Sequence, residues 1–201
     1  MSKTLTKMYD THAAASAAVT DLERLGIPHK DISIVSSNAD NVHGTRAGED
    51  AGKGAGAGAA IGGVGGLLAG LGILAIPGLG PVVAAGWLAS AAVGAVVGGA
   101  VGGAAGGLVG ALQKEGVSED DAHVYSEGVR RGGSLVSAKV DNDQIARAEA
   151  VLDRHNPVDP TVRGADYRTR GWSRFDENEP AFDADQVALE RARYERADAR
   201  I

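Results

Sequence analysis

The sequence predicts a small α/β domain (βαβ–αβα), interrupted by a glycine-rich transmembrane helical hairpin and followed by an extended or helical C-terminal tail. Three observations predict this fold. One stretch lacks Asp, Glu, Lys, Arg and His, its flanks alternate as strands and helices do, and five of the eight aromatic residues follow residue 156. The predicted boundaries are 1–36 and 113–156 for the two halves of the domain, 37–53 for a polar tether, 54–112 for the hairpin and 157–201 for the tail.

The uncharged stretch has the length of two membrane-crossing helices. At 1.5 Å per residue the first arm, 54–76, would span about 34 Å, and a hydrocarbon core is about 30 Å thick. The second arm, 82–112, is longer and would tilt or project beyond the headgroups. Because proline and glycine end helices, the bend is assigned to Pro77, Gly78, Gly80 and Pro81. A soluble glycine-rich segment is the alternative, because glycine costs about 0.8–1 kcal/mol per helical residue relative to alanine.

Glycines recur at every fourth residue in both arms. On a helix such a row forms a groove without side chains, in which another helix can approach closely. A hairpin partner needs only one row of the second arm, so its additional row predicts a homo-oligomer. The glycines assigned to helix packing and oligomerisation are Gly54, Gly58, Gly62, Gly66 and Gly70 in the first arm, and Gly94, Gly98, Gly99, Gly102, Gly103, Gly106, Gly107 and Gly110 in the second.

The flanks of the hairpin carry the periodicities of regular structure. The expected elements are a strand at 4–9, a helix at 12–25, a strand at 31–36, a helix from 118 to about 131, a strand at 134–140 and a helix to about 154. Asp10 or Thr11 is expected to cap the first helix, and Asp141 or Asn142 the last. Neither half buries its apolar face alone, so the two are expected to join into one domain.

The tail differs in composition from the rest of the chain. Prolines punctuate a charged background, and residues 183–200 fit a helix. One interpretation is a disordered tail. The other is a docking arm, since aromatic residues commonly anchor interfaces. The residues assigned to docking are Tyr167, Trp172, Phe175 and Phe182.

Several functional classes find no support in the sequence. The chain has no cysteine and a net charge of −6, and it lacks a basic block, which argues against nucleic acid as a partner. Gly52-Lys53 is not followed by Ser or Thr, so the phosphate-loop pattern fails. The five histidines are dispersed. No catalytic residue, metal site or cofactor is therefore predicted.

Short motifs in the two flanks resemble a known family. They are Met8-Tyr9-Asp10, Gly26-Ile27-Pro28, Ile32-Ser33-Ile34-Val35, Ser118-Glu119-Asp120-Asp121-Ala122, Tyr125, Gly128 and Gly132-Gly133. Over about 4–36 and 115–155 the chain resembles bacterial general stress proteins, specifically the heat-induced stress protein (YflT-like) domain. The glycine-zipper insertion and aromatic tail resemble those of alphaproteobacterial members. The resemblance implies a stress-linked bacterial protein without established catalysis.

The expected function is that of a stress-associated, membrane-anchored structural or scaffolding protein, not an enzyme, that self-assembles through glycine-zipper helices. Membrane lipid and further copies of the chain are the expected partners. Two alternatives stay open: an accessory or adaptor subunit that docks on a larger membrane complex through its tail, and an oligomeric pore. The expected location is the bacterial inner membrane with the soluble domain and both termini cytoplasmic, because the hairpin returns to its starting side and no signal peptide is visible.

Overall fold

The computed structural model describes residues 2–39, 71–76, 78–91 and 107–198. In that part of the chain, five strands form one sheet in the order β1-β5-β2-β4-β3, with every neighbouring pair antiparallel. The strands are β1 (Ser2–Tyr9), β2 (Ile32–Ser37), β3 (Gly72–Ile76), β4 (Gly80–Ala85) and β5 (Ser134–Asp141). The helices are α1 (His12–Arg24), α2 (Gly107–Lys114), α3 (Glu119–Arg130), α4 (Ile145–Asp153), α5 (Pro160–Thr169) and α6 (Ala184–Asp198), with a 3₁₀ turn at His29–Asp31 and a helical turn at 87–91.

Strand β5 joins the two halves of the predicted α/β domain. It pairs with β1 from Tyr9↔Ser134 to Ser2↔Asp141, and with β2 on its other side. Because β1 and β2 are both antiparallel to β5, they run parallel to each other as a split βαβ unit. The mixed α/β character predicted from the flanks is confirmed.

Side chains alternate between two cores on opposite faces of the sheet, as the pleat of a strand requires. In β5, Leu135 packs with the core around α2 and α3, whereas Val136 packs with the core around α1 and α4. In β2, Val35 packs with the core around α2 and α3, and Ile34 packs with the core around α1 and α4. The sheet is therefore covered by helices on both faces.

The predicted transmembrane hairpin is wrong. Strands β3 and β4 pair from Gly72↔Ala84 to Ile76↔Gly80, and β4 pairs with β2, so the chain around the expected bend belongs to the sheet. Further along the expected second arm lies α2, whose 8 residues extend only about 12 Å. Among the helices of the described ranges, none combines the length and the apolar character that a bilayer crossing requires.

Burial within a protein core explains why β4 carries no charge. Val82 and Val83 are at most 2 % exposed, and Ala84 and Ala85 are also buried. An apolar run of five or six residues fits a buried strand as well as a helix, and valine favours the strand.

The finding on the helices also contradicts the inner-membrane location, which depends on the hairpin. Lipid as a partner and the alternative of a pore were inferred from the same hairpin, and both stay untested predictions.

The end of β4 is fastened to β2 through Ser33 and Gly86. Ser33 Oγ donates a hydrogen bond to the carbonyl oxygen of Ala85 at 2.8 Å and accepts one from the Leu88 N–H at 3.2 Å. Gly86 has a φ of +86° and lies directly against the backbone of Ile32 and Ser33. This junction turns the chain from β4 into the helical turn at 87–91.

The C-terminal segment folds back onto α3, beginning with α5. Asp159 caps α5 by accepting hydrogen bonds from the N–H groups of Thr161 and Val162 at 2.8 and 3.1 Å, and Pro160 occupies the first turn. Gly164 is the point where α5 meets Val124 of α3, because a Cβ there would lie 2.9 Å from Val124 Cγ2.

Helix α3 passes over β1 at Gly128, where a Cβ would overlap Met8 Sδ and lie 2.7 Å from Met8 Cε. We expect Gly128→Ala to lower the free energy of unfolding by about 1–3 kcal/mol through overpacking, although alanine is the better helix former. In a Met8→Ala background, Gly128→Ala should lower the free energy of unfolding much less. Urea unfolding of the wild type, both single variants and the double variant measures the difference. Equal losses in both backgrounds would exclude the Met8 contact as the cause.

Candidate functional site

Most of the glycines assigned to helix packing lie outside the described residues. Those are Gly54, Gly58, Gly62, Gly66, Gly70, Gly94, Gly98, Gly99, Gly102, Gly103 and Gly106. Gly107 and Gly110 are described, and both are buried in α2, which packs against α3. Their assignment to oligomerisation stays a prediction.

Three of the residues assigned to the bend are described, and they lie at the junction of β3 and β4. Pro77 is outside the described residues, whereas Gly78, in the turn between β3 and β4, and Gly80, the first residue of β4, have φ values of +74° and +75°. Pro81 is the second residue of β4, and its carbonyl oxygen accepts a hydrogen bond from the Asn38 N–H at 2.8 Å.

The aromatic residues of the tail pack against the chain's own helices. Tyr167 is fully buried, Trp172 and Phe175 are each 9 % exposed, and Phe182 is half-buried. The rings of Tyr167 and Trp172 meet edge to face with centroids 5.6 Å apart. Their predicted docking on a partner is untested, and three of the four rings are buried within the chain's own fold.

Ion-paired and hydrogen-bonded side chains line the contacts of the tail with α3 and with Asp10, which precedes α1. We call this set the charged seam: Asp10, Glu127, Arg130, Arg131, Arg163, Asp166, Arg170, Glu179, Glu190 and Tyr194. It is the candidate functional site, because it brings together acidic, basic and phenolic groups from distant parts of the chain.

The centre of the charged seam is Glu127, whose side chain has no exposed surface. It accepts hydrogen bonds from Arg130 Nη2 at 2.8 Å and from Arg131 Nε at 2.6 Å. Arg130 also donates to Glu179 at 2.7 Å, and Arg131 lies 4.4 Å from the centroid of the Tyr167 ring. A buried carboxylate is thus held between two guanidinium groups that also contact the tail.

The second part of the charged seam is a carboxylate cradle around Glu190 of α6. Arg170 donates to both carboxylate oxygens of Glu190, at 2.7 and 2.8 Å, and Arg131 donates to one of them at 3.3 Å. This bidentate arrangement is the strong form of a charge-assisted hydrogen bond. Arg170 also donates to Asp166 at 2.7 Å, and Tyr194 donates to the same Asp166 oxygen at 2.6 Å.

The third part of the charged seam joins the tail to the start of the chain. Arg163 donates to both oxygens of Asp10, at 2.7 and 3.0 Å, and its guanidinium lies 3.4 Å from the centroid of the Tyr194 ring. Burial lowers the pKa of Arg163, but the hydrogen bonds and charge of Asp10 outweigh it and leave that pKa raised. Asp10 therefore serves as a tie to α5, while Thr11 caps α1 by accepting from the Ala14 N–H at 3.2 Å.

The carboxylates of the cradle are held in their ionised form. Burial raises the pKa of Glu190, but the hydrogen bonds from Arg170 and the charges of Arg170 and Arg131 outweigh it, and the pKa lies below its usual value. Burial likewise raises the pKa of Asp166, and the hydrogen bond from Tyr194 with the charge of Arg170 lowers it overall. Both groups suit ion pairing rather than proton transfer near neutral pH.

The space inside the charged seam is small. A cavity of about 10 Å³ lies between Asp10, Arg131, Arg163, Glu190 and Tyr194. A cavity of that size holds about one water molecule. The buried Tyr167 hydroxyl group borders it and has no hydrogen-bond partner within the described structure. Water is therefore the largest species that fits while the tail is docked.

Two histidines of the described ranges have hydrogen-bond partners outside the charged seam. His155 Nε2 is 3.0 Å from Asp21, and His12 lies between Ser36 and Ser16. In this part of the chain, no three His, Asp or Glu side chains are grouped as the ligands of a metal ion would be.

The sequence pattern marks none of the charged residues of the seam as a site, because charges on a helix usually face solvent. One signal was available: Asp159-Pro160 is a strong start for α5, with an N-cap acid followed by proline in the first turn. Placing α5 beside α3 would have brought Arg163 and Arg170 to the correct side of the domain.

Lowering the pH is expected to release α6 from the cradle. The unfolded pKa values of Asp and Glu are about 3.9 and 4.3, and the folded values of Asp166 and Glu190 lie lower. Their contribution to stability is therefore complete above the unfolded values and is lost as the pH falls through the folded ones. The thermal midpoint should fall below about pH 4, with a shallower fall in Glu190→Gln. If the thermal midpoints of the wild type and Glu190→Gln fall equally steeply with pH, the role assigned to Glu190 is contradicted.

A protein-family profile matches part of the chain. Residues 4–74, about a third of the chain, match the profile of the heat induced stress protein YflT domain. The match covers β1, α1, β2 and the start of β3, and it supports the stress-protein part of the resemblance. The resemblance expected at 115–155 lies outside the matched range. No curated protein and no solved structure matches the chain. The similarity is to a stress-protein domain and suggests a general stress-related role.

Proposed function

We propose that the chain is a non-enzymatic, stress-associated scaffolding protein that binds other proteins, further copies of itself included, through its C-terminal segment. The family match over residues 4–74 supports the link to stress. The charged seam supports protein binding through the C-terminal segment as the mode of action.

The observation that carries this proposal is the commitment of the seam's buried carboxylates to arginine. Glu127 is held by Arg130 and Arg131, and Glu190 by Arg131 and Arg170. The cavity beside them holds about one water molecule. Such a site is suited to holding one segment of protein against another, and poorly suited to binding and converting a substrate.

The proposal is tested by survival of heat stress in a strain that lacks the protein. The deletion strain is complemented with the wild type, with Glu190→Arg, or with Ala188→Arg, which places an arginine on the exposed face of the same helix. We expect the wild type and Ala188→Arg to restore survival and Glu190→Arg to fail. Equal survival with all three would overturn a role for the C-terminal segment.

Graded expression separates a scaffold from an enzyme. A scaffold acts in stoichiometric amounts, so survival should rise in proportion to the amount of wild-type protein. A catalyst turns over, so a small amount should restore full survival. Full rescue at a few per cent of the normal level would contradict the scaffolding role.

An adaptor that docks on a larger complex through its tail is the second candidate. The large apolar side chains that stand exposed in the described ranges are Val162 at 68 % and Leu189 at 74 %, and both belong to the tail. Leu189→Ser changes this outward face and leaves the cradle intact. Loss of survival with Leu189→Ser but not with Glu190→Arg would favour the adaptor.

A further inference from the structure

Helix α6 rests on the domain through one narrow face. Four side chains of α6 contact the charged seam and Gly132: Val187, Glu190, Arg191 and Tyr194. Their spacing of i, i+3, i+4 and i+7 places them on one side of the helix. Of these, Val187 is the apolar side chain that becomes fully buried, at 1 % exposure. The attachment is therefore mostly ionic.

The surface under α6 is shaped for these side chains, and we call it the α6 dock: Arg131, Gly132, Arg163, Asp166 and Arg170. Val187 lies against Gly132, where a Cβ would overlap Val187 Cγ1. Arg191 donates to the Gly132 carbonyl oxygen at 3.0 and 3.3 Å, and the Glu190 carboxylate faces Arg170 and Arg131. Two guanidinium groups around one carboxylate make the dock selective for a helix that presents a carboxylate at this position.

Helix α6 has an N-terminal cap formed by its own residues. Asp183 accepts a hydrogen bond from the Gln186 N–H at 2.8 Å, and the Gln186 side chain accepts one from the Asp183 N–H at 3.0 Å. This reciprocal capping box satisfies the first N–H groups without any residue of the dock. The start of the helix therefore does not depend on docking.

The segment that leads to α6 is long enough to reach another molecule. Phe175 is the last buried aromatic anchor before α6, and residues 176–180 are exposed. The residues between Phe175 and α6 can extend to about 26 Å at 3.3 Å per residue. Within this segment Glu179 pairs with Arg130, and its side chain is 57 % exposed.

We propose that the α6 dock binds α6 of a second copy of the chain, so that two copies exchange this helix. The inference rests on the proposed function and names the partner and the site. A second copy fits because its α6 presents the same side chains to an identical dock, and an exchanged pair keeps every contact between α6 and the dock. Exchange of an identical element is a low-cost route to a dimer.

The experiment mixes two full-length variants with opposite defects. Arg170→Glu places an acid in the dock opposite Glu190, and Glu190→Arg places a base on α6 opposite Arg131 and Arg170. Each variant alone opposes like charges both within one chain and between two copies. In the mixed dimer one interface has the wild-type residues and the other has the reversed pair. We expect each variant alone to be monomeric by native mass spectrometry and the mixture to contain the heterodimer.

Folding measurements, a wild-type mixture and a control mixture keep the test decisive. Circular dichroism and hydrogen exchange of the sheet establish that both variants fold. Mixed ¹⁵N-labelled and unlabelled wild type should form mixed dimers whose fraction rises with protein concentration, whether or not the variants fold. The matched control replaces Glu190→Arg with Ala188→Arg and should yield less heterodimer with Arg170→Glu, because its second interface still places the new acid of the dock opposite Glu190. Monomers alone in the wild-type mixture at every concentration, or equal heterodimer in the control mixture, would overturn the proposal.

These outcomes do not depend on heat survival. Exchange without any effect on survival would refute the proposed function and leave the binding site standing. Loss of survival in Glu190→Arg without exchange in the wild type would refute the second copy as the partner.

Discussion

Replacing Glu127 with alanine is expected to lower the free energy of unfolding by about 3–5 kcal/mol, the cost of breaking a buried ion pair by removing one partner. The side chain of Glu127 is fully buried, and those of Arg130 and Arg131 are only 3 % and 12 % exposed. Without the carboxylate, two guanidinium groups lie close together in a site that water reaches poorly. The expected loss is a large part of the stability of a typical domain.

The matched control for Glu127→Ala is Asp120→Ala on the same helix. Asp120 pairs with Arg168 at 3.1 Å, but its side chain is 85 % exposed. Exposed pairs contribute about 0–1 kcal/mol, so this variant should unfold nearly like the wild type. Denaturant unfolding of the three proteins provides the comparison. Similar losses in the two variants would refute the special role of the buried pair.

Replacing Gly86 with alanine is expected to lower the free energy of unfolding by about 3–5 kcal/mol, from overpacking together with an unfavourable backbone conformation. Its φ is +86°, and a Cβ would overlap the carbonyl oxygen of Ile32 and lie 2.8 Å from Ser33 Cα. These neighbours are backbone atoms of β2, at the centre of the sheet, so they cannot move aside as a flexible side chain would.

Gly26→Ala separates the two causes of the stability loss expected for Gly86→Ala, which are overpacking and the unfavourable backbone conformation. Gly26 has a similar φ of +94°, but nothing lies within 4 Å of a Cβ built there. The control should therefore lose only about 1–2 kcal/mol, the cost of the left-handed conformation. Thermal unfolding of both variants measures the difference between their stability losses. A loss in Gly26→Ala as large as that in Gly86→Ala would show that the backbone conformation alone is responsible.

Local sequence signals predicted the elements of the two flanks well. Ser118 begins α3 as its N-cap, accepting a hydrogen bond from the Asp121 N–H at 3.2 Å. Gly26 and Gly132 follow α1 and α3 with positive φ. Such signals are strong because a cap or a turn depends only on its nearest neighbours. The prediction for α4 was less accurate, since the helix begins at Ile145 and has no side-chain cap.

The type of structure at 71–85 depended on a partner that the local sequence does not show. β2 has β5 on one side, and β4 takes its other side through pairs from Ile34↔Ala85 to Ser37↔Val82. An apolar run that meets such an unpaired edge gains backbone hydrogen bonds and becomes a strand. The same run was assigned to a helix because its lack of charge was attributed to lipid, whereas burial between two protein layers produces the same composition.

The amino-acid sequence by itself determined the alternation of the strands, the caps of α1 and α3, and the apolar faces that make this an α/β domain. Tertiary structure alone decided that β4 joins β2 and that the tail folds back through the charged seam. Arg131 and Glu190 are 59 residues apart, and Asp10 and Arg163 are 153 apart. A charged side chain carries no local mark of a partner at that distance, because the pairing becomes favourable only after folding has removed both groups from water.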